Sequence, residues 1–202
     1  MREDELATAV VEHFGVAFDD ATVRLEEPYD HYGNRGVVDA HVRVRGAAPV
    51  DYLVELKSDA ALGHVTGANE VLRQYRRMER YFYKDEEHSL RTSIARDGPG
   101  VHVMLLFAPT SRCVEHVWEH RRLYGSVDQR GTVGGASAAR KVAFLTNLDA
   151  AAEGGLGFLS VNGEVDVGSE EFAGLVPPDS RLASALGASD RTWPGRAGSA
   201  AD

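Results

Sequence analysis

Two carboxylates and one ammonium group, Asp39, Glu55 and Lys57, lie in two neighbouring segments whose residue types suit paired strands. Residues 37–45 alternate between apolar and polar side chains, which predicts a half-buried strand with Asp39 on its polar face. Residues 51–57 predict a second strand that projects Glu55 and Lys57 to one side. A short run of turn residues between them favours an antiparallel hairpin. The hairpin would bring the three charged groups together as a candidate metal site.

A helix is predicted after the second strand, beginning at Thr66 or Gly67 and ending near Tyr83. Four apolar residues at helical spacing form its predicted buried stripe: Val71, Tyr75, Met78 and Phe82. Gln74 falls at the edge of this stripe, where a side chain can reach a neighbouring sheet. Four arginines gather on the opposite face and could either grip phosphates or form a solvated surface: Arg73, Arg76, Arg77 and Arg80.

These residues resemble the PD-(D/E)xK nuclease superfamily, in which an aspartate on one strand is followed by Glu-x-Lys on the next. The matching residues are GVVD at 36–39 and ELK at 55–57. The helix that follows in that family often carries a glutamine facing the site, and Gln74 fits that place. The resemblance covers roughly residues 1–110 and includes RecB-like and archaeal Holliday-junction resolvase-like members. Met78 departs from the RecB-like pattern, which usually has a tyrosine there.

The resemblance implies a fold, a reaction and a set of ligands. The fold would be α/β, with a restriction-endonuclease-like core in the order αβββαβ and a central mixed sheet flanked by helices. Asp39, Glu55 and the backbone carbonyl of Leu56 would bind Mg²⁺ or Mn²⁺. Lys57 would assist the attacking water, and Gln74 would position water or phosphate. The implied reaction is metal-dependent hydrolysis of phosphodiester bonds, with DNA as the expected partner.

The first helix offers a further candidate metal ligand. A helix is predicted over residues 2–14, and many family members place a site carboxylate on this helix. Glu12 is the candidate here. It lies nearly opposite the apolar stripe, however, so plain solvation is the alternative interpretation.

Residues 28–36 are predicted to form a loop, because turn residues dominate there after a short strand at 22–26. Tyr32 and Arg35 in this loop are candidates to stack on bases or to hold phosphate. A surface turn with incidental aromatic residues is the alternative.

The overall charge argues against simple polyanion binding. The chain has a net charge of -9, whereas lysine and arginine supply most non-specific affinity for nucleic acids. Of the 22 basic residues, lysine occurs only at positions 57, 84 and 141. This bias indicates a GC-rich genome, and the acidic surface is typical of a halophilic host.

The domain organisation follows from length and composition. One nuclease-like domain is predicted over residues 1–175, followed by a Pro-, Gly- and Ala-rich tail over 176–202 that is partly disordered. Further strands are predicted at 101–108, 141–146 and 157–161. A helix is predicted from Ser111 to Tyr124, and residues 126–140 are predicted as a Gly- and Ser-rich connection.

Location and assembly are also expected from the sequence. No apolar run is long enough to span a membrane and no signal peptide is recognised, so the cytoplasm is expected and a membrane partner is not. The single cysteine, Cys113, excludes a disulfide within one chain. Dimers are frequent in the family that the chain resembles, so a homodimer is a candidate assembly.

Two alternatives to an active nuclease stay open. The first is a catalytically silent nucleic-acid-binding or assembly module that keeps the fold. The second is an unrelated α/β protein in which the motif occurs by chance. This second alternative would be favoured if the strands carrying Asp39 and Glu55 were not adjacent.

Overall fold

Helices and strands alternate along the chain in an α/β arrangement. The structure, a computed structural model, describes residues 2–64, 67–90, 98–108, 110–146 and 157–162. The helices are α1 (Glu3–Ala17), α2 (Asp59–His64), α3 (Ala68–Tyr81), α4 (Ser111–Glu119) and α5 (Arg121–Gly125), with short 3-10 turns at Phe82–Lys84 and Glu86–His88. The strands are β1 (Ala21–His31), β2 (Asn34–Val44), β3 (Val50–Lys57), β4 (Val101–Phe107), β5 (Arg130–Val133), β6 (Ala136–Thr146) and β7 (Gly157–Ser160).

In the described part of the chain, seven strands form one mixed sheet in the order β1-β2-β3-β4-β6-β5, with β7 also pairing with β6. The β1-β2, β2-β3, β5-β6 and β6-β7 pairs are antiparallel. The β3-β4 and β4-β6 pairs are parallel. The expected core order of one helix, three strands, a helix and a strand is confirmed, and the short helix α2 is inserted before α3.

Helices cover the two faces of this sheet, and side-chain alternation along β3 shows which helix covers which face. Tyr52 packs against Phe14 of α1, with ring centroids 4.7 Å apart. Asp51, on the opposite face, accepts a hydrogen bond from the hydroxyl of Tyr83, which directly follows α3. Glu55 has the parity of Asp51, so it projects toward the side of α3 rather than that of α1.

The amphipathic pattern of α3 explains how it docks on the sheet. Its predicted stripe is confirmed, since all four residues are fully buried: Val71, Tyr75, Met78 and Phe82. The hydroxyl of Tyr75 also donates to the backbone carbonyl of Val103 at 2.9 Å, which satisfies a polar atom that burial would otherwise penalise. This docking places α3 against β1 and β2, and Tyr75 reaches across to β4.

Strand β4 lies at the centre of the sheet between two parallel neighbours. Its near-continuous apolar sequence predicts burial on both faces, and this is confirmed: apart from His102, each of its residues is buried. Residues of β4 from Val101 to Phe107 pair with both β3 and β6. A rigid central strand therefore supports the neighbouring strand that carries Glu55 and Lys57.

The prediction of a loop at 28–36 is wrong. Strands β1 and β2 continue through this region as an antiparallel hairpin, and only Tyr32 and Gly33 form the turn. Both turn residues have positive φ, 49° and 82°, which suits a two-residue hairpin connection. Pro28 is tolerated because β1 is an edge strand. One side of an edge strand has no partner, so a missing N–H on that side breaks no hydrogen bond of the sheet.

Two other predicted elements differ in extent. The helix predicted from Ser111 to Tyr124 is divided at His120 into α4 and α5, and Thr110 rather than Ser111 caps it by accepting from the N–H of Cys113. The connection predicted over 126–140 contains β5 and the first part of β6. Pairing of these two strands across a Gly-Gly turn overrides the loop-like composition.

Some predictions concern residues that the structure does not describe. The predicted domain end at 175 and the tail predicted over 176–202 lie outside the described residues. Within the described ranges, no helix combines the length and the apolar character needed to cross a membrane.

Candidate metal and catalytic site

Strands β2 and β3 bring together the three charged side chains singled out in the sequence. The last pair of their ladder joins Ala40 to Val54, and one step further places Asp39 opposite Glu55. The backbone N–H of Leu56 donates to Oδ2 of Asp39 at 2.6 Å. Nζ of Lys57 donates to Oε1 of Glu55 at 2.7 Å. We refer to Asp39, Glu55 and Lys57 as the carboxylate centre.

The charges in the carboxylate centre are poorly hydrated and unbalanced. Glu55 and Lys57 are only 6% and 5% exposed. Two carboxylates face one ammonium group, so the ionised centre carries a surplus negative charge. Burial, followed by the negative charge of Glu55, raises the pKa of Asp39 to about 7. Such a cluster favours either a proton or a bound cation.

Glu55 has its own balance of effects. Burial raises the pKa of the Glu55 carboxyl, and the charge and hydrogen bond of Lys57 only partly offset this. The buried ion pair therefore does not restore ordinary carboxylate acidity. An additional positive charge beside the pair would stabilise both ionised carboxylates.

Glu3 is a residue near the centre that the sequence analysis did not identify. The negative charge of Glu3 is the smallest of the effects that raise the pKa of Asp39 and of Glu55. Among the described residues, Glu3 does not converge with them as a third carboxylate. Glu12 is exposed and follows Glu3 by nine residues, about 14 Å along a helix. The sequence did contain a signal that could have identified Glu3. Glu3 precedes the buried Leu6 by three residues, which places both on the same side of the helix.

The predicted residues of α3 divide into two groups. Burial raises the pKa of the Tyr29 phenol and the positive charge of Arg77 partly offsets this, so Arg77 lies toward Tyr29. Gln74 is half-buried, and its side chain adds to the larger effect of Arg73 in lowering the pKa of Glu70. Arg73 forms an exposed ion pair with Glu70 at 2.6 Å. The structure thus places Arg77 toward Tyr29, whereas Arg73 and Gln74 lie beside Glu70 on their own helix.

Tyr32 and Arg35 lie at the tip of the β1-β2 hairpin. Tyr32 is 93% exposed, and Nε of Arg35 donates to Oδ2 of Asp30 at 2.7 Å. Tyr32 precedes Asp39 by seven residues, about 23 Å along an extended strand. The structure does not bring the hairpin tip to the carboxylate centre.

Tyr29 is a buried aromatic residue close to the centre, and its position depends on Gly36. These residues are cross-strand partners in the β1-β2 hairpin. A Cβ atom added at Gly36 would lie 2.2 Å from the Tyr29 hydroxyl oxygen and 2.4 Å from Cζ. The Tyr29 ring also packs edge-on against Phe82. Glycine at 36 therefore allows the phenol to lie flat across β2.

Gly36→Ala is expected to lower the free energy of unfolding by about 1–3 kcal/mol, because the new methyl group displaces the ring of Tyr29. Urea unfolding of the variant and the wild type measures this change. Val37→Ala, at the exposed neighbouring position, is the control and should change stability by less than about 0.5 kcal/mol. In a Tyr29→Ala background Gly36→Ala should cost little. An equal cost in both backgrounds would show that the contact is not responsible.

The oxygen donors of the centre fit a hard divalent cation. In the ranges that the structure describes, no three His, Cys, Asp or Glu side chains converge as a metal site, so side chains alone would supply two carboxylates. Leu56 points its N–H toward β2, and a strand residue presents its N–H and C=O at the same edge. The Leu56 carbonyl therefore faces the same side, where the β2-β3 ladder has ended. Two carboxylates and one carbonyl are oxygen ligands typical of Mg²⁺.

Fold and site together define an α/β protein with a paired-carboxylate centre on adjacent strands of a mixed sheet. The sequence model of the PD-(D/E)XK nuclease superfamily domain matches residues 1–190. The chain therefore belongs to the PD-(D/E)XK nuclease superfamily. Comparison with curated proteins and with solved structures gives no match to the chain.

Proposed function

We propose that this protein is a metal-dependent nuclease that hydrolyses phosphodiester bonds of DNA. The observation that carries the proposal is the buried pairing of Asp39 with Glu55, with Lys57 bonded to one of them. Surplus negative charge at a buried site is costly unless a cation offsets it. Membership of the nuclease superfamily supports the same activity.

The proposed roles follow from the chemistry of each group. Asp39, Glu55 and the Leu56 carbonyl would hold Mg²⁺ or Mn²⁺. Such an ion, when bound, stabilises charge on a phosphate and lowers the pKa of water. Lys57 would stabilise the negative transition state and orient the attacking water. Gln74 would position water or phosphate after turning from Glu70 toward the centre.

Other residues would contact DNA at increasing distance from the reaction. Glu3, rather than the Glu12 suggested by the sequence, would order water at the edge of the centre. Arg77 would hold the phosphate that is cleaved or its neighbour, as a guanidinium group does well. Three residues farther from the centre would contact the DNA away from the scissile bond: Tyr32, Arg35 and Arg73.

Lys57→Ala is expected to reduce metal-dependent cleavage by about 10²–10³-fold, because transition-state charge loses a fixed cation. The assay uses supercoiled plasmid and linear single- and double-stranded DNA with Mg²⁺ or Mn²⁺, at low and molar salt. Lys141→Ala, on β6, removes the same charge elsewhere and should keep activity. Equal cleavage by the wild type and Lys57→Ala would point to a contaminant or another site.

A catalytically silent nucleic-acid-binding or assembly module is the second candidate. In such a module the buried Glu55–Lys57 ion pair would serve as a structural contact. DNA binding without cleavage under any of these metal and salt conditions would support this candidate. The same cleavage assay with RNA as substrate shows whether the protein acts on DNA or on RNA.

The setting of the activity is also proposed. We infer a cytoplasmic protein that acts as a homodimer, on the basis of the sequence and of the frequency of dimers in similar nucleases. Sedimentation equilibrium of the purified chain measures the assembly state, and a monomer throughout the micromolar range would contradict the dimer.

A further inference from the structure

A polar groove runs along the side of α3 that faces β5 and β6. It has a volume of about 600 Å³ and lies between α3, residues 126–128 and the β5-β6 turn at Gly134. We call it the α3-β5 groove. Its charged lining consists of Arg76, Glu79, Arg80, Lys84, Asp128 and Arg140. The groove is separate from the carboxylate centre, and none of these residues belongs to it.

The charge of this groove is opposite to that of the whole chain. The protein has a net charge of -9, yet the groove is lined by four cations and two carboxylates. Nε of Arg140 donates to Glu79 at 2.7 Å, so this pair is internally neutral. Three cations then face Asp128 alone. A local positive surface on an acidic protein concentrates anions at that place.

Arg76 and Arg80 are the groove cations best placed to meet a ligand. Both are exposed, and neither forms an ion pair with another residue in the described part of the chain. They are four residues apart, so they lie on one face of α3. Lys84 continues this line beyond the helix, and its ammonium group lies 5.7 Å from the centre of the Tyr81 ring. The cations form a row rather than a single cluster.

The remaining lining favours a phosphate backbone over a base or an apolar ligand. Thr132 adds an exposed hydroxyl group that can donate to a phosphate oxygen. The Ser126 hydroxyl already donates to the Leu123 carbonyl at 2.9 Å. The one aromatic lining residue, Tyr75, is fully buried, and its hydroxyl is already bonded to Val103. Stacking of bases would require an exposed ring, and the groove lining offers none.

The two sides of α3 connect the groove to the proposed reaction. Arg77 lies toward Tyr29, whereas Arg76 and Arg80 line the groove. A helix with its side chains is about 10–12 Å wide. One nucleic acid that crosses the exposed face of α3 can therefore contact both sides.

We propose that the α3-β5 groove binds the phosphate backbone of the nucleic acid substrate, several nucleotides away from the scissile bond. This inference rests on the proposed nuclease function. It implies that substrates too short to cross α3 bind more weakly, although they still reach the carboxylate centre. Affinity would then depend on length but not on base sequence, because phosphate contacts carry no direct sequence information.

The test measures binding in an Asp39→Asn background, so that cleavage does not consume the DNA. Fluorescence anisotropy compares Arg76→Gln/Arg80→Gln with the parent, using single-stranded and duplex oligonucleotides of increasing length over a range of salt concentrations. Loss of two phosphate contacts should lower the slope of log affinity against log salt by about 1.4 for single strands or 1.8 for duplexes. The shortest oligonucleotides should bind both proteins equally.

The matched control is Arg45→Gln/Arg122→Gln, which removes two exposed arginines outside the groove lining. Its salt slope should equal that of the parent. An unchanged slope in the groove variant would overturn the proposal, and so would an equal decrease in the control, because that indicates a general charge effect. If binding changes as expected but the wild-type protein never cleaves DNA, the nuclease proposal fails and the proposal of phosphate binding in the groove is retained. If cleavage occurs and the slope is unchanged, the groove proposal alone fails.

Discussion

Asp39→Asn is expected to reduce the rate of metal-dependent cleavage by about 10³-fold or more. The same substitution is expected to make the metal-free protein more stable to unfolding at pH 8. Activity is lost because a proposed charged metal ligand is replaced by a neutral amide. Stability is gained because the amide oxygen can still accept from Leu56 N–H, while a buried surplus charge disappears.

The sign of the pH effect follows from the raised pKa of Asp39, about 7 in the fold against an ordinary value near 4. An acid with a raised pKa favours the folded state most at low pH. Its contribution therefore declines as pH rises from about 4 to about 7 and then levels off. The decline should be about 2 kcal/mol, because Asp39 keeps some contact with solvent. The asparagine variant lacks this decline.

Urea unfolding of both proteins at several pH values, without metal and then with Mg²⁺ or Mn²⁺, measures these effects. The ions should raise the urea concentration at the unfolding midpoint of the wild type but not that of Asp39→Asn. A variant that loses activity and is also less stable at pH 8 would indicate a structural role for Asp39. A variant that still cleaves DNA would remove Asp39 from the reaction altogether.

Asp51→Ala is expected to lower the free energy of unfolding by about 3–5 kcal/mol, since it breaks a buried charge network. Arg43 donates to both oxygens of Asp51, at 2.8 Å and 2.7 Å. The hydroxyl of Tyr83 adds a third bond at 2.9 Å. These bonds outweigh burial and lower the pKa of Asp51. Its contribution to stability is therefore full above about pH 4 and is lost as the pH falls further.

A surface ion pair provides the control for this network. Glu70 and Arg73 are 2.6 Å apart, but the Arg73 side chain is largely exposed. Glu70→Ala should therefore lower stability far less than Asp51→Ala does. Chemical denaturation at pH 7 measures both variants. Similar small losses in the two would mean that the Arg43, Asp51 and Tyr83 contacts contribute little to the fold.

The positions of Asp39 and Glu55 could be anticipated because they depend on short-range rules. Side chains alternate along a strand, and a short turn permits only a hairpin, so parity alone predicts that the two carboxylates share a face. The buried stripe of α3 follows in the same way from helical spacing. Local periodicity thus determines most of the core elements.

The contribution of Glu3 and the burial of His41 could not be anticipated, because both depend on how helices lie over the sheet. His41 lies on the face of β2 predicted to be polar, yet it is buried under Phe82, with ring centroids 5.0 Å apart. Alternation identifies the two faces of a strand but does not show which of them a helix will cover. The division of the α3 arginines between two sides depends on the same docking.

The hairpin between residues 28 and 36 is a second feature that could not be predicted from the sequence. Turn-forming residues are abundant there, and composition does not distinguish a long loop from strands joined by a two-residue turn. Pairing with β2 decides the outcome, and this involves residues on both arms of the hairpin. The place of Tyr29 beside the carboxylate centre follows from that pairing.

The β2-β3 hairpin also has a consequence for the order in which the protein folds. Its turn is short, so closing it costs little chain entropy, and its ladder already aligns Asp39 with Glu55. The parallel pairing of β3 with β4 instead joins segments more than 40 residues apart in the chain, and such distant contacts slow folding. Asp39, Glu55 and Lys57 therefore belong to a locally connected part of the fold, next to the still more local β1-β2 hairpin. We therefore expect the β2-β3 hairpin to align Asp39 with Glu55 before the pairing of β3 with β4 is complete.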